Sequence, residues 1–178
     1  MASLPIIRAG HPVLRQIAQP IGDPTDPELQ RLVEAMIETM DAAGGVGLAA
    51  PQGGVSLRLV VLMVPETRLS DDPEDTALPL TALINPVITP IGDAQVEGWE
   101  GCLSLPGLRG LVPRAQRIHY RALGLDGNVI ERKAAGFHAR VVQHECDHLD
   151  GILYPQRMRD LTKLIFESEA RHWVRESP

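Results

Sequence analysis

Aromatic side chains are nearly missing from this sequence, with two Trp, two Tyr and two Phe in 178 residues. The core must therefore be packed from Leu, Val, Ile, Ala and Met. A stacking platform for single-stranded nucleic acid has too few rings to be built. Excess positive charge is lacking as well. The formal net charge is −6 with His neutral, so no overall positive field draws the chain to nucleic acid or anionic lipid, and no direct nucleic-acid site is expected. No run approaches the ~18 apolar residues of a membrane span. Met1 to Gly10 holds no apolar stretch between a charged segment and a small-residue cleavage site. The expectation is a soluble, cytoplasmic protein with no membrane attachment. Cysteine is scarce too. Cys102 and Cys146 could form one disulfide, but in a reducing compartment cysteine near a histidine cluster is more often a ligand or a nucleophile.

What is there suits one domain over residues 1–178. Asp26-Pro27 reads as a helix start, and Leu29, Leu32, Val33, Met36, Ile37 and Met40 give one apolar face through about Ala43. Gly44 and Gly45 stop it. Ser56 to Val64, rich in branched residues, reads as a largely buried strand, and Glu66 to Pro79 as a polar surface loop. Ala82 to Ile91 is apolar but carries Pro86 and Pro90, which makes it a broken or edge strand. Gln116 to Leu125 and Val129 to Ala135 flank Asp126-Gly127, a strong hairpin signal. A helical pattern from about Gly136 carries Phe137, Val141, His144 and His148 and ends at Gly151. A last helix is expected from about Asp160 to Val174, with Leu161, Leu164, Ile165, Ala170 and Trp173 on its inner side. There are no repeats, low-complexity tracts or linkers, and strands mixed with segregated helices read as α+β.

The strongest chemical signal is His144-Glu145-Cys146-Asp147-His148, an H-E-x-x-H pattern. Residues four apart on a helix share a face, so both imidazoles can reach one ion. Glu145 sits beside the first of them, where its carboxylate can take a proton from a water that the ion has made acidic. The bland alternative is a surface helix with chance His and Glu residues. A catalytic site with an open position usually takes three protein ligands. His172 lies in the wrong place for the third, whereas Cys102, in Glu100-Gly101-Cys102-Leu103-Ser104-Leu105-Pro106, is a better candidate. One thiolate with two imidazoles suits Fe2+, Zn2+, Co2+ or Ni2+, although a free cysteine by itself is more often a small buried hydrophobe. The third element is Gly45-Val46-Gly47-Leu48-Ala49-Ala50-Pro51-Gln52. Its small residues let backbone approach a ligand closely, and Gln52 offers an amide donor. It breaks the G-x-G-x-x-G spacing of a dinucleotide loop, and a tight packing turn is the alternative.

Taken together, the segments GVGLAAPQ, EGCLSLP and QHECDHLDG resemble peptide deformylase, which carries G-x-G-x-A-A-x-Q, E-G-C-x-S and H-E-x-D-H in this order. The resemblance covers nearly the whole chain. It implies an α+β single domain with antiparallel sheets around a central metal-binding helix and a C-terminal helix. It implies hydrolysis of the N-formyl group from formylmethionyl nascent peptides, with release of formate. Cys102, His144 and His148 match the metal ligands, with Fe2+ as the usual ion and Zn2+, Ni2+ or Co2+ as alternatives in purified protein. Glu145 matches the general base, and Gln52 and the Leu103 backbone N–H match the oxyanion donors. Gly47 matches a position whose backbone pairs with substrate. Gly101 belongs with the substrate-binding positions, and Val46, Phe137 and Val141 match the lining of the methionine pocket.

Some positions depart from the pattern or lie outside it. Arg140 stands where many relatives place an apolar pocket residue; either its stem packs and its charge reaches water, or the pocket wall differs here. Cys146 is expected to pack rather than bind, Glu100 and Arg114 to form a buried pair behind the Cys102 loop, and Asp147 to support a ligand or fix the helix. A thermolysin-like peptidase is disfavoured by the upstream Cys102 and the lack of a downstream Glu or His ligand motif. A structural metal site in an adaptor would need a fourth ligand, and helical geometry turns Cys146 away. Ribosome association has thin support, since Lys163, Arg171 and Arg175 are offset by Glu167, Glu169 and Glu176.

Overall fold

The computed structural model describes residues 3–173. Its first helix, α1 (Pro27–Ala42), starts as its sequence requires. The Asp26 carboxylate accepts the Glu28 N–H at 2.8 Å, and Pro27, with no N–H to leave unpaired, takes the first turn. Leu29, Val33, Met36 and Met40 form its buried face, and Gly44 follows its end at φ +67°.

The strands in chain order are β1 (Gly47–Ala49), β2 (Leu59–Val64), β3 (Leu78–Pro90), β4 (Gln95–Cys102), β5 (Leu105–Ala115), β6 (Arg117–Leu123), β7 (Val129–Ala135) and β8 (Ile165–Phe166). Between β7 and β8 lies the second long helix, α2 (Gly136–Leu149). Five strands form an antiparallel sheet in the order β1-β2-β3-β6-β7, and β4-β5-β8 form a smaller one. In β2, Leu59 and Val61 join the cluster around α1, with Leu48 and Ile84. Val60, Leu62 and Val64 join the cluster around α2, with Val142, Cys146 and Leu149. Burial on both faces explains why this strand reads as an unbroken apolar run rather than an alternation. The larger sheet is thus covered by one helix on each face, and α2 lies between the two sheets' functional segments.

Three expectations need correction. The segment Ala82–Ile91 is bent rather than broken and is an edge only in part: β3 stands third in the order of the larger sheet, but it pairs with β2 up to Ile84 and with β6 from Ile84 to Pro90, so its proline-bearing half is open on one side. It tolerates Pro86 through a register shift between Ile84 and Val87, where no ladder N–H is demanded. Asn85 makes the bend at φ +50° and clasps Ile21, accepting its N–H at 2.9 Å and donating to its carbonyl at 2.8 Å. The C-terminal helix is shorter than expected and begins later, a 3-10 helix over Glu167–His172. Residues 165–166 instead form β8, pairing with Leu108 and Arg109 of β5; Val174 lies outside the described residues. The Glu66–Pro79 segment is mostly a surface loop, yet its Asp75 is 6% exposed. Its carboxylate accepts the N–H groups of Phe137 at 2.8 Å and His138 at 3.1 Å, capping α2 where Ala135 has no side chain to do so. Gly136 makes this possible: at φ +54°, an added Cβ would stand 2.7 Å from Asp75 Cγ.

Candidate active site

Helical spacing brings His144 and His148 to one side of α2, their ring centroids 5.0 Å apart. The β4–β5 hairpin supplies Cys102 at its tip, where a register shift between Gly101 and Cys102 turns the strand. The ligand atoms of Cys102, His144 and His148 all lie within 4.8 Å of one another, and Cys102 Sγ is 3.4 Å from His148 Nε2. Both cysteines are free. Cys146 packs in the α2 cluster, and burial pushes its thiol pKa up, as befits an inert hydrophobe.

The histidine orientation is fixed from behind. Glu100 Oε2 accepts from His144 Nδ1 at 2.8 Å, which leaves Nε2 for a metal. Burial alone would raise the Glu100 pKa, but hydrogen bonds from Arg114 and His144 outweigh it and hold the carboxylate ionised. Burial would likewise lower the His144 pKa, and its bonds to Cys102 and Glu100 raise it instead. For His148 burial wins, aided by the positive charge of His144 and Arg114, and the imidazole stays neutral. The expected Glu100–Arg114 pair is present, bonded at 2.9 and 3.0 Å. Asp147 takes the helix-fixing role of its two expectations, held by Arg114 at 2.5 Å and Arg157 at 2.7 Å.

Glu145 is 5% exposed, and its Oε2 has no hydrogen-bond partner among the described residues. Burial pushes its pKa up from 4.5 to about 7. Gly47 makes room for it, since a Cβ there would stand 2.6 Å from Glu145 Cδ. Gln52, 2% exposed, is anchored by Ala49, whose N–H donates to its Oε1 at 2.9 Å. That bond turns Nε2 towards Cys102 Sγ at 3.4 Å and Ser104 Oγ at 3.2 Å. A solvent-facing end to the Gly45–Gln52 turn is thereby excluded. The donor set fits a divalent transition metal: one sulfur and two imidazoles converge, one imidazole is locked from behind, and an uncommitted buried carboxylate stands beside them.

These groups open into a cavity of about 410 Å³. Val46, Gly47, Gln52, Gly101, Leu103, Phe137 and Val141 all line it, together with Cys102, His144 and Glu145. A sequence model described as polypeptide deformylase matches residues 3–164. The chain belongs to the polypeptide deformylase family. Peptide deformylase 1 of Bordetella pertussis is 55% identical over 158 residues, covering 89% of each chain. Among solved structures, peptide deformylase from Thermotoga maritima is 37% identical with TM-score 0.80, over 90% of this chain and all of that one (100%). The Met-Ala-Ser-bound class I type b peptide deformylase from Acinetobacter baumannii is also 37% identical, with TM-score 0.79 over 88% of this chain and 99% of its own. A deformylase is a hydrolase that removes the formyl group from the N-terminal formylmethionine of new polypeptides, and this is the activity of the chain. No helix among the described residues is long and apolar enough to cross a membrane.

Several residues of this deformylase site carried too little signal on their own. Ser104, 1% exposed, holds Gln52 in place, and its position in E-G-C-x-S was the available hint. Glu100, read only as half of an ion pair, is also the partner of His144. Tyr154 stacks on the His144 ring at 6.2 Å, a contact from beyond α2 that no local pattern announces. Of the two alternatives for Arg140, the structure favours the second: Arg140 is part of the cavity wall. Its charge does not reach water but is folded onto Glu100 and three backbone carbonyls.

Proposed function

We propose that Cys102, His144 and His148 hold Fe2+, and that Glu145 carries the proton while Gln52 and the Leu103 N–H receive the negative charge of the formyl oxygen. The observation that carries this is Glu145: a buried carboxyl with a free oxygen, lining the same cavity as Cys102 and His144 and next in sequence to one of three converging metal-ligating side chains. When bound, the ion supplies Lewis-acid activation of water and of the formamide carbonyl. Glu145 takes the proton of the attacking water and later delivers it to the departing amine, so the free amino terminus and formate leave. The amide of Gln52, its flip fixed by Ala49, donates to the oxygen on which charge develops, a contribution of ~3 kcal/mol for such a donor.

The substrate fits the same cavity. β1 is an outer strand of its sheet, so the open side of Gly47 offers backbone groups to an extended peptide. Val46, Phe137 and Val141 supply apolar wall for the methionine side chain, and Gly101 leaves space for the peptide beside β4. The Acinetobacter baumannii deformylase, which holds Met-Ala-Ser, supports a peptide beginning with Met as the occupant. The protein acts in the cytoplasm on formylmethionyl nascent chains. A ribosomal contact has little behind it: the Lys163 ammonium lies over the Trp173 ring at 4.5 Å, Arg171 turns to His172, and Arg175 is outside the described residues.

The test is anaerobic formate release from N-formyl-Met-Ala-Ser, with metal content measured on the same samples. The parent should carry about one ion per chain and release formate. Cys102→Ala should lose both, and Cys146→Ala should keep both. Full metal retention in Cys102→Ala would remove the thiolate from the ligand set.

A further inference from the structure

We infer that Arg140 is a positioning residue for His144, acting through Glu100. The four lone-pair directions of the Glu100 carboxylate are all taken. Arg114 spans both oxygens, with Nε to Oε1 at 2.9 Å and Nη2 to Oε2 at 3.0 Å. The remaining place on Oε2 goes to His144 Nδ1 at 2.8 Å, and the remaining place on Oε1 to Arg140 Nη1 at 2.8 Å. Arg140 and His144 therefore pull on opposite corners of one carboxylate, and Arg114 sets its plane. Without Arg140, Oε1 keeps a single partner, and the carboxylate can tilt away from the imidazole.

The guanidinium is itself immobilised. Nη1 also reaches the Val112 carbonyl at 2.8 Å and that of Gly98 at 3.3 Å, and Nη2 reaches the Val96 carbonyl at 2.8 Å. It thus ties β4 to β5, whose hairpin tip carries Cys102. Gly98 is the residue that admits it, because a Cβ there would lie 2.7 Å from Arg140 Cζ. Arg140 is one turn before His144 on α2, so a single helix face presents both the imidazole and the group that holds its partner still. A lysine in its place reaches one of these acceptors but cannot span them.

The inference rests on His144 being a metal ligand, and the experiment separates the two. Parent, Arg140→Lys, Glu100→Gln and the double variant are loaded with Co2+, and the rate of metal loss to EDTA is measured, with the visible spectrum and thermal unfolding recorded alongside. Outer partners of ligating histidines typically change metal affinity ~10–100-fold. Arg140→Lys should speed metal loss about tenfold and shift the Co2+ bands. The double variant should lose metal no faster than Glu100→Gln within about threefold, because both changes act on one carboxylate. Arg140→Leu serves as a second variant if the lysine happens to preserve the Glu100 bond. A purely structural staple would lower thermal stability but leave the metal-loss rate and spectrum at parent values in both Arg140 variants, which overturns the proposal. Multiplying effects in the double variant overturn it as well. A parent that binds no Co2+ overturns the ligand reading and the proposal with it.

Discussion

Replacing Glu145 by Gln measures how strongly the metal-free fold resists ionising that carboxyl group. Burial is the main cause of its raised pKa; the charge of His144 opposes the shift and that of Glu100 adds to it. A folded-state pKa above the unfolded one means the folded protein holds the proton more tightly. Glu145 therefore weighs against folding increasingly as pH rises above 4.5, and the penalty levels off once pH passes about 7. At about 1.4 kcal/mol per unit the full penalty is about 3 kcal/mol, of which about 2.5 kcal/mol develops between pH 5 and pH 8. The new amide must be buried with few partners, costing about 1–3 kcal/mol, but that cost is the same at both pH values. Groups that titrate alike in the two proteins cancel. The assay is urea unfolding of EDTA-treated parent and Glu145→Gln at pH 5 and pH 8, with matching denaturant slopes. The stability of the variant relative to the parent should improve by about 2–3 kcal/mol over that range. A difference that does not change with pH refutes the reasoning, because it would mean that Glu145 ionises in the fold as easily as in water.

Two other substitutions probe the walls of the site. Gln52→Leu, similar in size but without the donor, should lower kcat by roughly a hundredfold or more while KM and metal content hold; steady-state kinetics on formyl-Met peptide with metal analysis reads this, and an unchanged kcat would leave the oxyanion to Leu103 and the ion. Gly47→Ala should displace the Glu145 carboxylate, since the added Cβ overlaps it, and activity should fall about a hundredfold in a protein whose circular dichroism spectrum and metal content match the parent.

Much of this was legible in the sequence because it is local. The i, i+4 histidines, the Asp26-Pro27 start of α1 and the Asp126-Gly127 turn, with Gly127 at φ +75°, are each decided by a few adjacent residues. The misreadings share a cause, which is that a distant partner decides. Pro86 and Pro90 argue against a central strand, and the half of β3 that carries them pairs with β6 alone, whereas the earlier half reaches β2 and places the strand inside the sheet order. The apolar residues at 164–166 look like a helix face until β5 offers them an edge to pair with. Asp75 is one acid among several in a polar loop, and only the arrival of α2 makes it a cap. The sequence leaves open whether Arg140 reaches water or changes the pocket wall, because its acceptors lie on strands 28 to 44 residues away. The candidate ligands come together as the motif order implied; of the hydrogen bonds around them, the Glu100–Arg114 pair and the role of Asp147 were legible, whereas the Glu100–His144 and Gln52–Ser104 bonds were not.

The most direct test of the account is turnover by fully metallated Glu145→Gln on N-formyl-Met-Ala-Ser, run anaerobically, with formate and bound metal measured in the same sample. Glu145 lines the same cavity as Cys102 and His144 but is not part of the Cys102–His144–His148 cluster, so the variant should bind metal to the level of the parent. Its formate release should fall by about a thousandfold or more, the loss expected when the group that moves the proton is gone. Release within about tenfold of the parent at full metal occupancy would contradict the account, because the proton would then have another carrier.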